Sequence, residues 1–105
     1  MAATNDVLLQ TPDIATCASF YERILGLSRF LDEPSIIGLD AGPLRLFIDR
    51  GPSYGPVLEF VVPDFDFAKH RLVNEGCFID QEKRDTPRCY VRDQFGLIFN
   101  IRERP

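Results

Sequence analysis

The sequence has no tryptophan, one methionine, one histidine and three cysteines in 105 residues. With His70 as its single imidazole, a Ser–His–Asp triad or a His-rich metal centre is hard to assemble. Cys17, Cys77 and Cys89 form no CxxC pair, and an odd number cannot all pair within one chain. They are expected to be reduced thiols, mostly buried. Cys89 lies between arginines on an expected strand, but no partner base stands near it in sequence to activate it. No apolar run approaches the roughly 20 residues that cross a bilayer. The opening stretch MAATNDVLLQTPD lacks the basic start and long apolar segment of a secretory signal, so the expected compartment is the cytoplasm. Positive charge is also short, with 12 Lys and Arg against 16 Asp and Glu and a net charge of −4. That balance disfavours nucleic acid and anionic membrane as partners and suits a neutral or cationic small molecule. A phosphate-cradling loop is missing too, because the glycine-rich stretch RGPSYGP (residues 50–56) has prolines where backbone amides would have to donate.

What the chain does have is an internal repeat. VLLQTPD, ending in Pro12-Asp13, is followed by ATCASFYERILG. About half the chain later, LEFVVPD, ending in Pro63-Asp64, is followed by FDFAKHRLVNEG. Each aspartate opens an expected helix that closes at a glycine, Gly26 or Gly76, a residue suited to the left-handed position after a helix. Cys17, Phe20, Tyr21 and Ile24 recur at helical spacing as the expected buried stripe of the first helix. Ala68 and Leu72, with Phe65 and Val73, do so in the second. Short β-like runs follow in each half: Phe30-Leu31, 36–39 and 44–49, then Phe78-Ile79, 88–92 and 97–102. The chain therefore reads as α+β, two βαβββ modules at about 1–50 and 57–105, with RGPSYGP as the linker. Neither module could bury its sheet alone, so the two are expected to form one domain.

Pro12-Asp13, Phe20-Tyr21 and Leu25-Gly26-Leu27, then Phe60 to Asp64, Gly76 and the turn Asp93-Gln94-Phe95-Gly96, together resemble the vicinal-oxygen-chelate superfamily. Its members include glyoxalase I, extradiol dioxygenases and bleomycin-resistance proteins. The resemblance implies the glyoxalase/bleomycin-resistance fold, with curled mixed sheets around a cleft and commonly a homodimer. It also implies four metal ligands on four strands, usually His, Glu or Gln. The corresponding positions here are Asp6, either Arg45 or Phe47, Val57 and Asn100. Only Asp6 and, through its carbonyl, Asn100 could donate to a metal. No metal and no other cofactor is expected.

Strand alternation gives the expected cleft lining. Asp6, Leu8 and Gln10 face it from the first strand, while Val7, Leu9 and Thr11 face the helices. Val57, Glu59 and Val61 line it from the fifth strand, with Leu58, Phe60 and Val62 packing inward. Ile98, Asn100 and Arg102 line it from the last strand, with Leu97, Phe99 and Ile101 packing. Arg45 and Asp49 share a face of the fourth strand, joined by Phe47 if the register slips by one. Tyr54, Arg88 and Tyr90 are placed at the rim. The weak catalytic candidate is Glu59, as a general base, as an anchor for a cationic ligand, or as a salt-bridge partner of Arg45 or Arg102. The function expected is metal-free binding of a small cationic or aromatic molecule in the clefts of a homodimer, as in bleomycin-resistance proteins. The alternative is a glyoxalase- or dioxygenase-like lyase, isomerase or oxygenase, with displaced metal ligands or with Glu59 as base.

Overall fold

A computed structural model describes residues 2–105. The chain forms two compact units, residues 5–57 and residues 58–105 together with 2–4. The first unit carries β1 (Ala2–Thr11), α1 (Ile14–Leu25), β2 (Ser28–Asp32), β3 (Ile36–Ala41) and β4 (Leu44–Arg50). Its strands lie in the order β2-β3-β4-β1, with β1 parallel to β4 and the other pairs antiparallel. The second unit carries β5 (Tyr54–Val62), α2 (Phe65–Asn74), β6 (Phe78–Lys83), β7 (Arg88–Arg92) and β8 (Ile98–Glu103). Its order is β5-β8-β7-β6, again with one parallel pair, β5 with β8. Both units are βαβββ, as the repeat predicts.

The helices begin where the Pro-Asp pairs place them. Asp13 Oδ1 accepts from Thr16 N at 3.1 Å and Asp64 Oδ1 from Phe67 N at 3.1 Å, so each carboxylate satisfies an amide that has no partner inside its helix. The same contact holds the Asp13 carboxyl below the usual carboxylate range. At the far end of α1, Gly26 adopts φ 70° and donates to Glu22 O, closing the helix. Beyond α2, Gly76 takes φ 97° after a cap at Glu75.

Each unit has its own core between its helix and one sheet face. In the first, Ile14 and Ala18 of α1 meet Ile37, Leu39 and Ile48, with Leu9, Cys17, Tyr21 and Leu46 packed around them. In the second, Phe65 and Ala68 of α2 meet Val62, Cys89, Val91 and Ile101. Burial pushes the Cys89 thiol up to about 11, which makes it a packing residue and not a nucleophile.

Four packing expectations need correction. The buried stripe of α1 runs through Ile14, Cys17, Ala18 and Tyr21, so Phe20 and Ile24 stay 48% and 56% exposed. Val73 of α2 is likewise exposed. Leu58 and Leu97 do not pack inward and remain 58% and 66% exposed, Leu97 falling just before β8. The expected linker is partly strand, because Tyr54 to Pro56 open β5 and Gly55 takes φ 109°. A Cβ at Gly55 would come within 2.8 Å of Leu8 O, so glycine is required there on both counts.

Candidate functional site

The face of each sheet turned away from its helix carries the residues singled out from sequence. In the first unit, register pairs Asp6 with Arg45, Leu8 with Phe47 and Gln10 with Asp49 across β1 and β4. All six therefore share one face, and Phe47 joins Arg45 and Asp49 with no slip of register. Arg45 Nε donates to Asp6 Oδ1 at 2.8 Å and Nη2 to Oδ2 at 3.2 Å, a two-pronged ion pair. The Asp6 end of that pair is buried and the Arg45 side chain is about half exposed.

Phe30 completes this face, and nothing in the alternation pattern announced it. Between β2 and β3, Arg29 pairs with Leu39 and Leu31 with Gly38, so Phe30 is an extra residue in the ladder. Such a bulge re-aims a side chain. The ring swings over Gly38, where a Cβ would lie 2.6 Å from the ring's tip. There it meets Phe47 edge to face, with centroids 5.5 Å apart at 89°. The Arg45 guanidinium lies 5.5 Å from the Phe30 centroid and 5.4 Å from that of Phe47. Two rings and one carboxylate thus surround a planar cation. The sequence signal that could have found Phe30 is the glycine at position 38, a gap in a strand with nothing in sequence to fill it. Further along, the Gln10 side-chain amide packs where Gly51 has no Cβ, and its buried Oε1 has no hydrogen-bond partner among the described residues.

The second unit presents a polar row. Register sets Glu59 beside Asn100 and Asn100 beside Tyr90, across β5, β8 and β7. All three are buried, which moves Tyr90 from the expected rim to the middle of its sheet face. Glu59 accepts from Asn100 Nδ2 at 3.3 Å and from Arg102 Nε at 3.2 Å. The Thr4 hydroxyl lies 3.4 Å from its Oε1. Of the two arginine partners considered for Glu59, Arg102 is its salt-bridge partner and Arg45 pairs with Asp6. Val61 and Arg102 are register partners in the next row, with Arg88 opposite Arg102 and Ile98 opposite Arg92. Val57 is buried and apolar.

Leu8 with Phe47 stands in the repeat where Glu59 with Asn100 stands, so the ligand position left open between Arg45 and Phe47 falls on Phe47. The four positions are then Asp6, Phe47, Val57 and Asn100. Two have no donor atom, Asp6 is engaged by Arg45, and the Asn100 amide is turned to Glu59. These side chains do not fit a divalent metal ion. No group of three His, Cys, Asp or Glu among the described residues could hold one elsewhere. His70 is exposed on α2. No helix among the described residues is long and apolar enough to cross a membrane.

A hollow lies elsewhere, on the helix side of the second unit. About 420 Å³ opens beside α2, lined by Val62, Pro63, Phe67, Ala68 and Leu72, with Asp64, Arg71 and Glu75 around it.

No family model and no curated protein matches the sequence. Solved structures do match the fold. A hypothetical protein from Bacillus halodurans superimposes with a TM-score of 0.66 at 16% identity, over 95% of this chain and 92% of that one. Methylmalonyl-CoA epimerase from Mycobacterium tuberculosis gives 0.64 at 16%, over 99% and 88%. Homoprotocatechuate 2,3-dioxygenase from Brevibacterium fuscum, as a complex with 3,4-dihydroxyphenylacetate, gives 0.68 at 20% over 98% of this chain. The chain spans about a third of that dioxygenase, 36% of its length. The chain has the vicinal-oxygen-chelate fold, α+β with two βαβββ units.

Proposed function

We propose that the protein binds a small, flat, cationic or aromatic molecule on the strand face of its first unit, without a metal ion. The observation that carries this reading is the arrangement of Phe30, Phe47 and Asp6 around the Arg45 guanidinium. Two rings at right angles and a carboxylate make a recognition site for a planar cation, and Arg45 shows the geometry such a group adopts there. Phe30 is 45% exposed, so part of its ring is accessible to a ligand. The net charge of −4 favours the approach of a cation. The donor-poor ligand positions support a site that works without a metal.

The test is a panel of aromatic cations and neutral aromatics followed by thermal shift and by NMR, with and without a chelator. Binding that survives chelation, and falls at least tenfold in Phe30→Ala and in Asp6→Asn, is the expected result. Binding that requires an added divalent metal, or that ignores both substitutions, overturns the reading.

A second reading, a metal-independent lyase or isomerase with Glu59 as base, is favoured by the burial of that carboxylate between Asn100 and Arg102. It predicts that Glu59→Gln binds substrate without turning it over. Unchanged turnover in that variant removes it.

A further inference from the structure

We propose that Arg45 is the resident occupant of the aromatic site, and that an aromatic ligand bearing an amidinium or guanidinium group enters by displacing it toward Asp40. This inference rests on the ligand-binding reading and narrows it to one class of cation. The contact with Asp6 sets the class. Nε and Nη2 of one planar group donate to the two oxygens of the carboxylate, at 2.8 and 3.2 Å. A cation with two parallel N–H groups in one plane can replace both bonds. A quaternary ammonium ion brings charge but no donor, and a primary ammonium has no plane to lay against a ring. The Asp6 side chain is only 11% exposed, so a ligand that left it unbonded would strand a buried carboxylate.

The same row of the sheet supplies the way out. From β4, Arg45 has Asp6 as its register partner on β1 and Asp40 on β3. The three side chains therefore share one face, with a carboxylate on either side of the cation. The two carboxylates are unlike, because Asp6 is buried while Asp40 is exposed and accepts from Gly42 N at 2.9 Å. The Arg45 side chain is 46% exposed on a long stem, so turning from Asp6 to Asp40 takes its charge further into water and leaves the strands in place. Exchanging one planar cation for another keeps the charge beside Asp6 constant. What the ligand adds is its own ring, which covers the part of Phe30 that Arg45 leaves accessible. Arg45 thus keeps Asp6 paired in the unliganded chain and competes with every ligand that comes to it.

Benzamidine is the probe, and phenyltrimethylammonium is its control, equal in charge and ring but without N–H donors. Calorimetry should show benzamidine binding the wild-type chain roughly tenfold or more tighter than the control. At saturation the Arg45 Nε–H signal in the NMR spectrum should leave its hydrogen-bonded position. Arg45→Met, which keeps the stem and removes the competitor, should bind benzamidine roughly tenfold tighter than wild type, because every molecule is then open to the ligand. That variant leaves Asp6 without its guanidinium, so its melt should fall and recover when benzamidine is added. Asp40→Asn keeps an acceptor for Gly42 and should weaken binding about threefold, the worth of one cross-strand charge pair, but should do nothing once Arg45 is Met. An Nε–H signal that stays in place at saturation, equal affinity for the two compounds, or weaker binding by Arg45→Met overturns the displacement while the ligand-binding reading stands. Wild-type and Arg45→Met chains that both ignore both compounds overturn that reading and this one together. Should Arg45→Met not fold, the wild-type Nε–H signal and the comparison of the two compounds still decide.

Discussion

Gly38 and Phe30 form the pair on which the aromatic site depends. The Cβ of an alanine at position 38 would come within 2.6 Å of the tip of the Phe30 ring, closer than two carbons can sit. The ring is half exposed and can swing out, so the clash is relieved by movement and not by deformation of the backbone. Gly38→Ala is therefore expected to cost little stability, about 1 kcal/mol or less, while removing Phe30 from Arg45 and Phe47. The measurement is a urea melt paired with a ligand titration. A near-native midpoint with lost affinity is the expected outcome, and full affinity would show that the ring does not serve the site. This residue also marks where sequence reading stops. Alternation placed Asp6, Leu8, Gln10 and Glu59 on the correct faces because β1 and β5 keep a strict period of two. Phe30 escaped because one extra residue in β2 breaks that period. The sequence pattern sets Tyr90 at a rim because strand order, and so its place in mid-sheet opposite Asn100, cannot be read from a local pattern.

At the scale of elements, the two helices start for the same reason and can be weakened in the same way. Asp64→Ala removes the acceptor for Phe67 N and should cost about 1 kcal/mol; Asp64→Asn should retain most of it. At Asp13 the contact with Thr16 lowers the carboxyl pKa in the folded chain, first through the backbone amide. Its contribution is therefore full above the ordinary carboxylate range and lost as pH falls through the lowered folded value. Asp13→Asn, which keeps an acceptor but cannot titrate, should flatten that part of the acid unfolding profile. An unchanged profile would assign acid sensitivity to other carboxylates. The caps were legible because Pro-Asp before an apolar run and a glycine after it are local signals. Which stripe of α1 is buried was not legible. Phe20 and Ile24 are as apolar as Ile14 and Ala18, and only the position of the sheet beneath decides between them. Helical periodicity announces that a face exists, while tertiary contact chooses it.

For the whole molecule, the repeat predicted two βαβββ units, and the structure has them with one core each. A unit of four strands and one helix is small for independent stability, so we expect one cooperative transition. Leu39→Ala, at a fully buried position of the first core, should lower stability by about 2–5 kcal/mol. Hydrogen exchange reads the outcome at amides of both units. Faster exchange at Ile101 as well as at Ile48 supports a single folding domain; faster exchange confined to the first unit means that each unit opens alone. The edge strands β2 and β6 also bear on how this protein behaves when crowded. In β2 the pairing shifts between Arg29 and Leu31, and in β6 between Asp80 and Lys83, where Gln81 takes φ 50° and Glu82 forms ion pairs with Lys69 and Arg84. Neither outermost ladder offers a straight, uncharged row of amides and carbonyls. A passing chain therefore finds no even template on which to add a strand, and the protein should resist fibril growth from those margins at concentrations where an ordinary exposed edge would seed it.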